Sequence, residues 1–423
     1  MLDFSEEHKL AAQLIRTWCV TRLGPAVADL EDGKTPPYAL MRELCATFGI
    51  ADMVRAALLK GRTEGEPARD RDSNAGRASS PGGDPGRASS RSGEGPLMAI
   101  LMMELSRFCP GFAMSFGASL GLCGGAILAR GTADQRARFA LPVMTMEKIG
   151  AWALTEPGAG SDAFGSMVTR ARRVEGGWRL SGSKTFITNA PYADVFVVYA
   201  RLDAGAGAGA GASVGAGAGV RAFVVERGTQ GLTTGGPMRK MGMHTSPTGE
   251  VFLDDVLVPG DQLLGGDDAD NERAAAKSSL KGERFGMTPM CLGIVDRCLE
   301  ESVRYAKERV QWGQPIASFQ LVQEKIARMY TARTVIQALL LRQLEADRAG
   351  VGLSVEEASA SKLYCARTAT DVAMDAVQLK GGAGYMRDGI VEMLARDAKL
   401  LQIGGGTDEI QILRIAREVL SRP

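Results

Sequence analysis

The spacing of apolar residues changes twice along this chain, and no other feature constrains its fold as tightly. From about Ser5 to Ser119 the spacing is helical. Ser5 followed by Glu6 and Glu7 has the form of a helix N-cap with an acidic first turn, and Leu10, Leu14, Ile15 and Cys19 then recur at helical spacing as one buried face. Pro96-Leu97-Met98 opens a further apolar helix. Between about Gly150 and Pro259 the period falls toward two. Val174–Trp178 reads as a hairpin, and Asp194–Tyr199, Val220–Glu226 and Glu250–Val258 read as strands. After Asn271 the helical period returns: Leu292, Val295, Leu299, Val303 and Ala306 form a stripe, and Leu321–Arg348, Val355–Leu379 and Thr407–Leu420 are of bundle-helix length. Helices, strands and helices in that order predict an α+β chain. Its expected parts are an N-terminal helical domain over 1–149, a middle β-barrel-like domain over 150–262 and a C-terminal helical bundle over 263–423.

Composition then removes several classes of function. With 50 Lys and Arg against 49 Asp and Glu, the chain lacks the basic excess that a nucleic-acid partner usually demands. The seven Cys stand singly with no CxxC, which fits reduced thiols in the cytoplasm. Two His, His8 and His244, leave little material for a zinc site or a Ser-His-Asp triad, and no metal is expected. No apolar run is read as reaching the ~20 residues a membrane span needs, and MLDFSEEHKL does not look like a secretion signal. Residues 61–95, rich in Gly, Arg, Ser and Pro with GRASS twice, and the Ala/Gly tract 204–219 read as surface insertions too poor in apolar surface to order themselves.

The segment with the most chemistry is Ala153-Leu154-Thr155-Glu156-Pro157-Gly158-Ala159-Gly160-Ser161-Asp162. A strand ends on Thr and turns through Pro-Gly, offering backbone N–H groups and two hydroxyls to a flat polar ring or a phosphate. Taken alone it is as simply a structural turn. With it, however, come Ser183–Asn189 (SKTFITN), Arg309–Gln314 (RVQWGQ) with Gln320, Gln378–Tyr385 (QLKGGAGY), Arg396–Lys399 (RDAK) and Gly406–Ile410 (GTDEI). In order and spacing this set resembles the acyl-CoA dehydrogenase family, flavoenzymes that oxidise acyl thioesters, over nearly the whole chain outside the two insertions.

The resemblance implies a bound FAD. Leu154, Thr155, Phe186 and Thr188 would meet the isoalloxazine, and Ser161 would lie near the flavin phosphates or the thioester. Phe186 stands where many relatives carry Trp. Arg309, Gln311, Trp312, Gln320, Gln378, Gly381 and Gly382 would hold the diphosphate and adenosine across a subunit boundary, with Thr407 and Glu409 also facing the cofactor. A shared site of that kind implies a homo-oligomer, by family habit a dimer of dimers. The implied reaction is α,β-dehydrogenation to a trans-2-enoyl thioester, the substrate being an acyl-CoA or an acyl-carrier protein and the electron acceptor an electron-transfer flavoprotein.

One departure concerns the base. Many relatives place a Glu just before the Gly-Thr of the last motif, where this chain has Gly405. The isovaleryl and long-chain branches place it early in the C-terminal domain, directly before an Arg, and here Glu283-Arg284 occupies that position. Glu283 is therefore the expected base, with Arg284 a contact to the carrier end of the thioester. Glu409 is a weaker rival and Glu156 reads as structural. Pro289, six residues after Glu283, is expected to kink the helix. Two other classes remain open from sequence: a non-catalytic FAD-binding homologue, and a flavin oxidase or monooxygenase on the same fold.

Overall fold

A computed structural model describes residues 5–63, 94–203, 219–266 and 272–422; the side chains of 57–63, 94 and 272–285 are outside that description. Residues 64–93 and 204–218, the bulk of the two expected insertions, lie outside the described residues. At the margins of the first, the 61–95 boundary is corrected: the helix Ile50–Thr63 continues past 61, and the helix Glu94–Phe108 begins before 95.

The N-terminal part is helical as expected. Ser5 caps the helix Glu6–Trp18 by accepting a hydrogen bond from the His8 N–H at 3.3 Å. Its inward face differs from the sequence reading. Ile15, Trp18 and Cys19 are buried, while Leu10 and Leu14 are exposed. The helix is seated by Arg16, whose guanidinium forks onto the buried Glu104 at 2.9 and 2.7 Å, and by Trp18 against Phe112, and these contacts turn Leu10 and Leu14 outward. A second correction concerns Pro110–Arg130. Ser115, Ser119 and a scatter of Gly hide its length in the sequence, yet it is one continuous run of 21 residues, long and apolar enough to cross a membrane. Its most apolar window is 61% buried inside the protein, with Phe112, Phe116, Leu120, Cys123 and Ile127 in the core.

The middle part is a curled mixed sheet. Its strands are β1 (Gly150–Ala153), β2 (Arg170–Val174), β3 (Gly177–Thr188), β4 (Val195–Leu202), β5 (Val220–Glu226), β6 (Leu232–Thr234) and β7 (Thr248–Pro259). The order is β1-β4-β2-β3-β7-β6, with β5 also on β4. β4, VFVVYARL, is a continuous apolar run because both of its faces are covered. Phe196, Val198 and Ala200 join the main core with the helices, and Val195, Val197 and Tyr199 join a second core with Cys123, Ile127 and Phe139. β1 and β2 both run parallel to β4 and take successive stretches of it, Val195–Val198 and then Arg201–Leu202. The chain between them, 154–169, therefore leaves the sheet as a loop.

In the C-terminal part the helix Glu272–Glu308 runs through Pro289 as a single element. A short hairpin follows, β8 (Val310–Gln311) with β9 (Gln314–Pro315). The helices Gln320–Arg348, Val355–Lys380, Ile390–Leu401 and Asp408–Leu420 complete the bundle.

The three parts meet at a buried polar junction. Glu31, from the first part, accepts hydrogen bonds from Thr245 N–H at 3.0 Å and Thr245 Oγ1 at 2.7 Å. Its other oxygen lies 3.5 Å from His244 Nδ1 and 3.7 Å from Arg396. Asp397, from the bundle, accepts the Met243 N–H through Oδ1, while its Oδ2 accepts no hydrogen bond among the described residues. Burial and the Glu31 charge push the Asp397 carboxyl up to about 7, against the pull of the Met243 N–H, Arg396 and Lys240. Between its ordinary value of 3.8 and about 7, the folded protein holds a proton that the unfolded chain has lost, so this group's contribution to stability falls as pH rises through that window. The Tm difference between Asp397→Asn and wild type should therefore widen in the variant's favour from pH 5 to pH 8, at ~1 °C for each kcal/mol in a chain of 423 residues. A difference that stays constant across that range would reject the assignment.

Candidate active site

Alternation along β3 puts Trp178, Leu180 and Lys184 on the inward face. Lys184 is 0% exposed, and a buried ammonium needs an anion. Glu156, in the loop after β1, provides it: Lys184 Nζ donates to Glu156 Oε1 at 2.7 Å and to the Leu154 carbonyl at 3.1 Å. The same carboxylate accepts the Val168 and Thr169 N–H groups at 2.6 and 3.0 Å, which closes the loop onto its own end. Burial pulls the Lys184 ammonium down to about 8 despite its partner. Glu156 lies below the usual carboxylate range: burial, the largest influence, pushes it up, but Lys184 and the loop N–H groups together outweigh it.

Around these bonds lie four of the expected residues, with a fifth, Ser161, further along the loop. Leu154 turns its side chain into the second core and its carbonyl to Lys184. The Thr155 carbonyl accepts the Thr185 N–H at 2.9 Å, which ties the loop to β3. A register shift between Lys184 and Ile187 then throws Phe186 outward with φ +56° and 68% of its surface exposed. A bulky residue in the left-handed region is a strained outlier, costing ~1–3 kcal/mol, and such strain persists where the surroundings over-determine it. Thr188 follows, paired with Thr248, and Ser161 is exposed at the far end of the loop. Among the described residues nothing lies within 4 Å of where a Cβ would sit on Gly158 or Gly160. An exposed aromatic face, hydroxyls and open glycine backbone suit a flat heteroaromatic ring with polar edges.

A second group gathers at the hairpin. Arg309, Gln311 and Trp312 lie on or beside β8–β9, and Gln320 opens the next helix. Gln378, Gly381 and Gly382 lie at the end of the helix Val355–Lys380. Ala306, Ile316 and Leu379 form the apolar cluster that joins the two segments. Trp312 is 86% exposed, at φ +49°, with its ring 5.5 Å from Phe319. Gly381 has φ +58°, and among the described residues no atom lies within 4 Å of a Cβ on it or on Gly382. An arginine on one of these segments and open glycine backbone on the other are groups that suit an anion such as a diphosphate. Among the described residues no hydrogen bond or ion pair joins this group to the corner formed by β1 and β3.

The third group surrounds the glycine turn. Thr407 caps the helix Asp408–Leu420, accepting the Ile410 N–H at 3.4 Å, and Glu409 is exposed in its first turn. Gly405 and Gly406 have φ of +64° and +95°. The buried Lys362 donates to the Gly406 carbonyl at 2.8 Å, and Gln411 Nε2 donates to the Gly405 and Gly406 carbonyls at 3.2 and 2.8 Å. A Cβ on Gly404 would stand 3.5 Å from Met287 Cε, so this turn rests on the helix that carries position 283. Glu283 and Arg284 belong to that helix, and their side chains are outside the described residues.

Sequence reasoning passed over Lys184 and Lys362 as functional positions. The signal for Lys184 was its place on the inward face of a strand; Lys362 carried no comparable local sign.

Comparison with known proteins identifies the family. Three family descriptions match: acyl-CoA dehydrogenase N-terminal domain over residues 93–147, middle domain over 151–256 and C-terminal domain over 273–420. The chain is 35% identical over 318 residues to a short-chain-specific acyl-CoA dehydrogenase of Megasphaera elsdenii, covering 74% of this chain and 79% of that one. It is 35% identical over 320 residues to the mitochondrial isovaleryl-CoA dehydrogenase of Arabidopsis thaliana, covering 76% and 75%. A glutaryl-CoA dehydrogenase from Mycobacterium smegmatis, solved in complex with FADH2, superimposes with a TM-score of 0.81 at 26% identity, covering 99% and 96%.

Phe186→Gly separates strain from binding. Glycine adopts φ +56° freely, so the FAD-free variant should melt at or slightly above the wild-type temperature, while FAD affinity falls about tenfold for lack of the aromatic wall. Unchanged affinity in a titration would remove Phe186 from the site.

Proposed function

Because this chain belongs to the acyl-CoA dehydrogenase family, we propose that it binds FAD and dehydrogenates an acyl thioester between its α and β carbons. It is an oxidoreductase of the acyl-CoA dehydrogenase type. When bound, FAD supplies the acceptor for the β-hydride. Leu154, Thr155, Phe186 and Thr188 would hold its ring, with Ser161 at the phosphates or the thioester. Arg309, Gln311, Trp312, Gln320, Gln378, Gly381, Gly382, Thr407 and Glu409 would hold the diphosphate and adenosine end. The exposed Trp312, Leu321 and Tyr385 favour completion of that end by a second copy, and hence a homo-oligomer, by family habit a dimer of dimers.

The residues that handle the substrate are read from the glycine turn, and one observation carries the reading: Gly404 meets Met287. Position 283 is one turn earlier on the same helix, ~6 Å along the axis and on the same face. Glu283 there would take the α-proton of the thioester. A thioester α-C–H is a weak acid, so enclosure that raises the carboxylate's proton affinity helps the transfer. Arg284, its neighbour, would hold the carrier end of the substrate. Gly405 has no side chain to offer, and at φ +64° a carboxylate-bearing residue would be strained.

Coenzyme A is the carrier we favour, with an electron-transfer flavoprotein as acceptor and the cytoplasm as location; the last fits seven free, buried cysteines. We take the working divisions of the chain as 1–149, 150–262 and 263–423.

Anaerobic mixing with straight and branched acyl-CoA panels should bleach the visible flavin band. Glu283→Gln should slow bleaching by at least a thousandfold while FAD stays bound, and bleaching at wild-type speed would remove Glu283 from the mechanism. Much faster turnover of the matched acyl-carrier protein would replace coenzyme A as carrier. Rapid peroxide release in air would instead mark an oxidase, and flavin that no thioester reduces would mark a non-catalytic homologue.

A further inference from the structure

We propose that the buried Lys184–Glu156 pair is a positioning device that sets the two walls of the flavin site in register; this rests on the reading of the corner between β1 and β3 as that site. The walls come from separate segments. One is the loop that leaves the sheet after β1, with Leu154 and Thr155, and the other is the shifted end of β3, with Phe186 and Thr188. Between β1 and β2 that loop pairs with no sheet strand among the described residues; Arg201 of β4 ties its later part through the Phe164 and Gly165 carbonyls at 3.3 and 2.8 Å, which leaves the height of its start to other contacts.

The pair supplies the missing constraint. Glu156 binds the loop's end through Val168 N–H and Thr169 N–H and the opposite wall through Lys184. Lys184 returns to the loop's start through the Leu154 carbonyl. Lys184 is also the last residue before the register shift, and the next N–H, that of Thr185, goes to Thr155. One step further Phe186 takes its strained outward conformation. Among the described residues, the hydrogen bonds from β3 to the start of this loop thus come from Lys184 and its immediate neighbour Thr185.

Stability alone does not account for an ion pair here. Replacing a buried ion pair with apolar side chains of similar volume is often neutral or stabilising, and the best-attested use of such a pair is to fix a register. Two apolar residues could fill this space and still let the loop slide against β3.

The test uses the full chain and a charge-free double variant, Glu156→Gln with Lys184→Met, which leaves no lone buried charge. Lys184→Arg, which keeps the charge and alters the reach, serves as the second form. Far-UV circular dichroism and Tm of the FAD-free protein report folding. FAD titration, visible circular dichroism of the bound flavin and its reduction potential report position. The double variant should fold with a Tm near wild type, bind FAD at least tenfold more weakly and show an altered visible spectrum. Lys184→Arg should show the same spectral change in smaller measure, and it carries the test should the double variant fail to fold. A folded variant with wild-type FAD affinity, spectrum and potential would overturn the proposal and leave the pair a merely structural one. Wild-type protein that bound no FAD would overturn instead the reading of the site on which the proposal rests.

Discussion

A single buried carboxamide does much to decide how the first two parts of this chain meet. Asn189, at φ +69°, accepts hydrogen bonds from Tyr38 Oη at 3.0 Å and from Ser115 Oγ. It donates to the Ser115 and Gly150 carbonyls at 2.9 and 3.1 Å, and its backbone N–H goes to Pro247. Two N-terminal helices, β1, the end of β3 and the segment before β7 therefore converge on one residue. The apolar core runs continuously from the first helices through the sheet into the bundle, but apolar contact is non-directional and tolerates many relative angles. Buried polar groups do not, because each must find its partner. The same logic holds where Arg107 spans Glu104 and Asp296 and where Glu31 meets Thr245, and both of those joints also reach the bundle.

That division explains which features could be read from the sequence. Periodicity reports burial of one face, so the longer strands of the sheet and the long bundle helices were legible, as was the Ser5 cap, while the three-residue β6 was too short to show a period. It failed where a joint between parts overrides it. Leu10 and Leu14 have helical spacing, but Arg16 reaching Glu104, 88 residues away, rotates that helix so that Ile15, Trp18 and Cys19 face inward. Small polar residues interrupt the apolar run Pro110–Arg130 in sequence, yet Ser115 and Ser119 are buried and bonded, to Asn189 and to the Gly150 N–H.

The site was legible in a similarly uneven way. The segments that belong to it stand out because glycine, proline and paired hydroxyls are conspicuous in sequence. What holds them is inconspicuous. Lys184 and Lys362 look like solvated lysines until the strand parity of one and the burial of the other are known. The strain at Phe186 has no sequence sign, since the residue itself is an ordinary strand former and only the register shift beside it reveals its φ.

The glycine turn joins these arguments to the chemistry. Lys362 and Gln411 hold it by its own carbonyls, so its shape depends on no side chain of residues 404–406. Its left-handed Gly405 and Gly406 give backbone freedom that a carboxylate-bearing residue would lose, and its smoothness lets Gly404 meet Met287 directly. On the proposed reading, a helix brought that near presents, one turn before the contact, the positions three and four residues from Met287. Those positions are Arg284 and Glu283. A turn emptied of side chains and an acid–arginine neighbour pair one helical turn away are then two halves of one arrangement. The helix is also the firmer mount, since its backbone is fixed by hydrogen bonds along its length, whereas a left-handed turn keeps its shape only while its external contacts last.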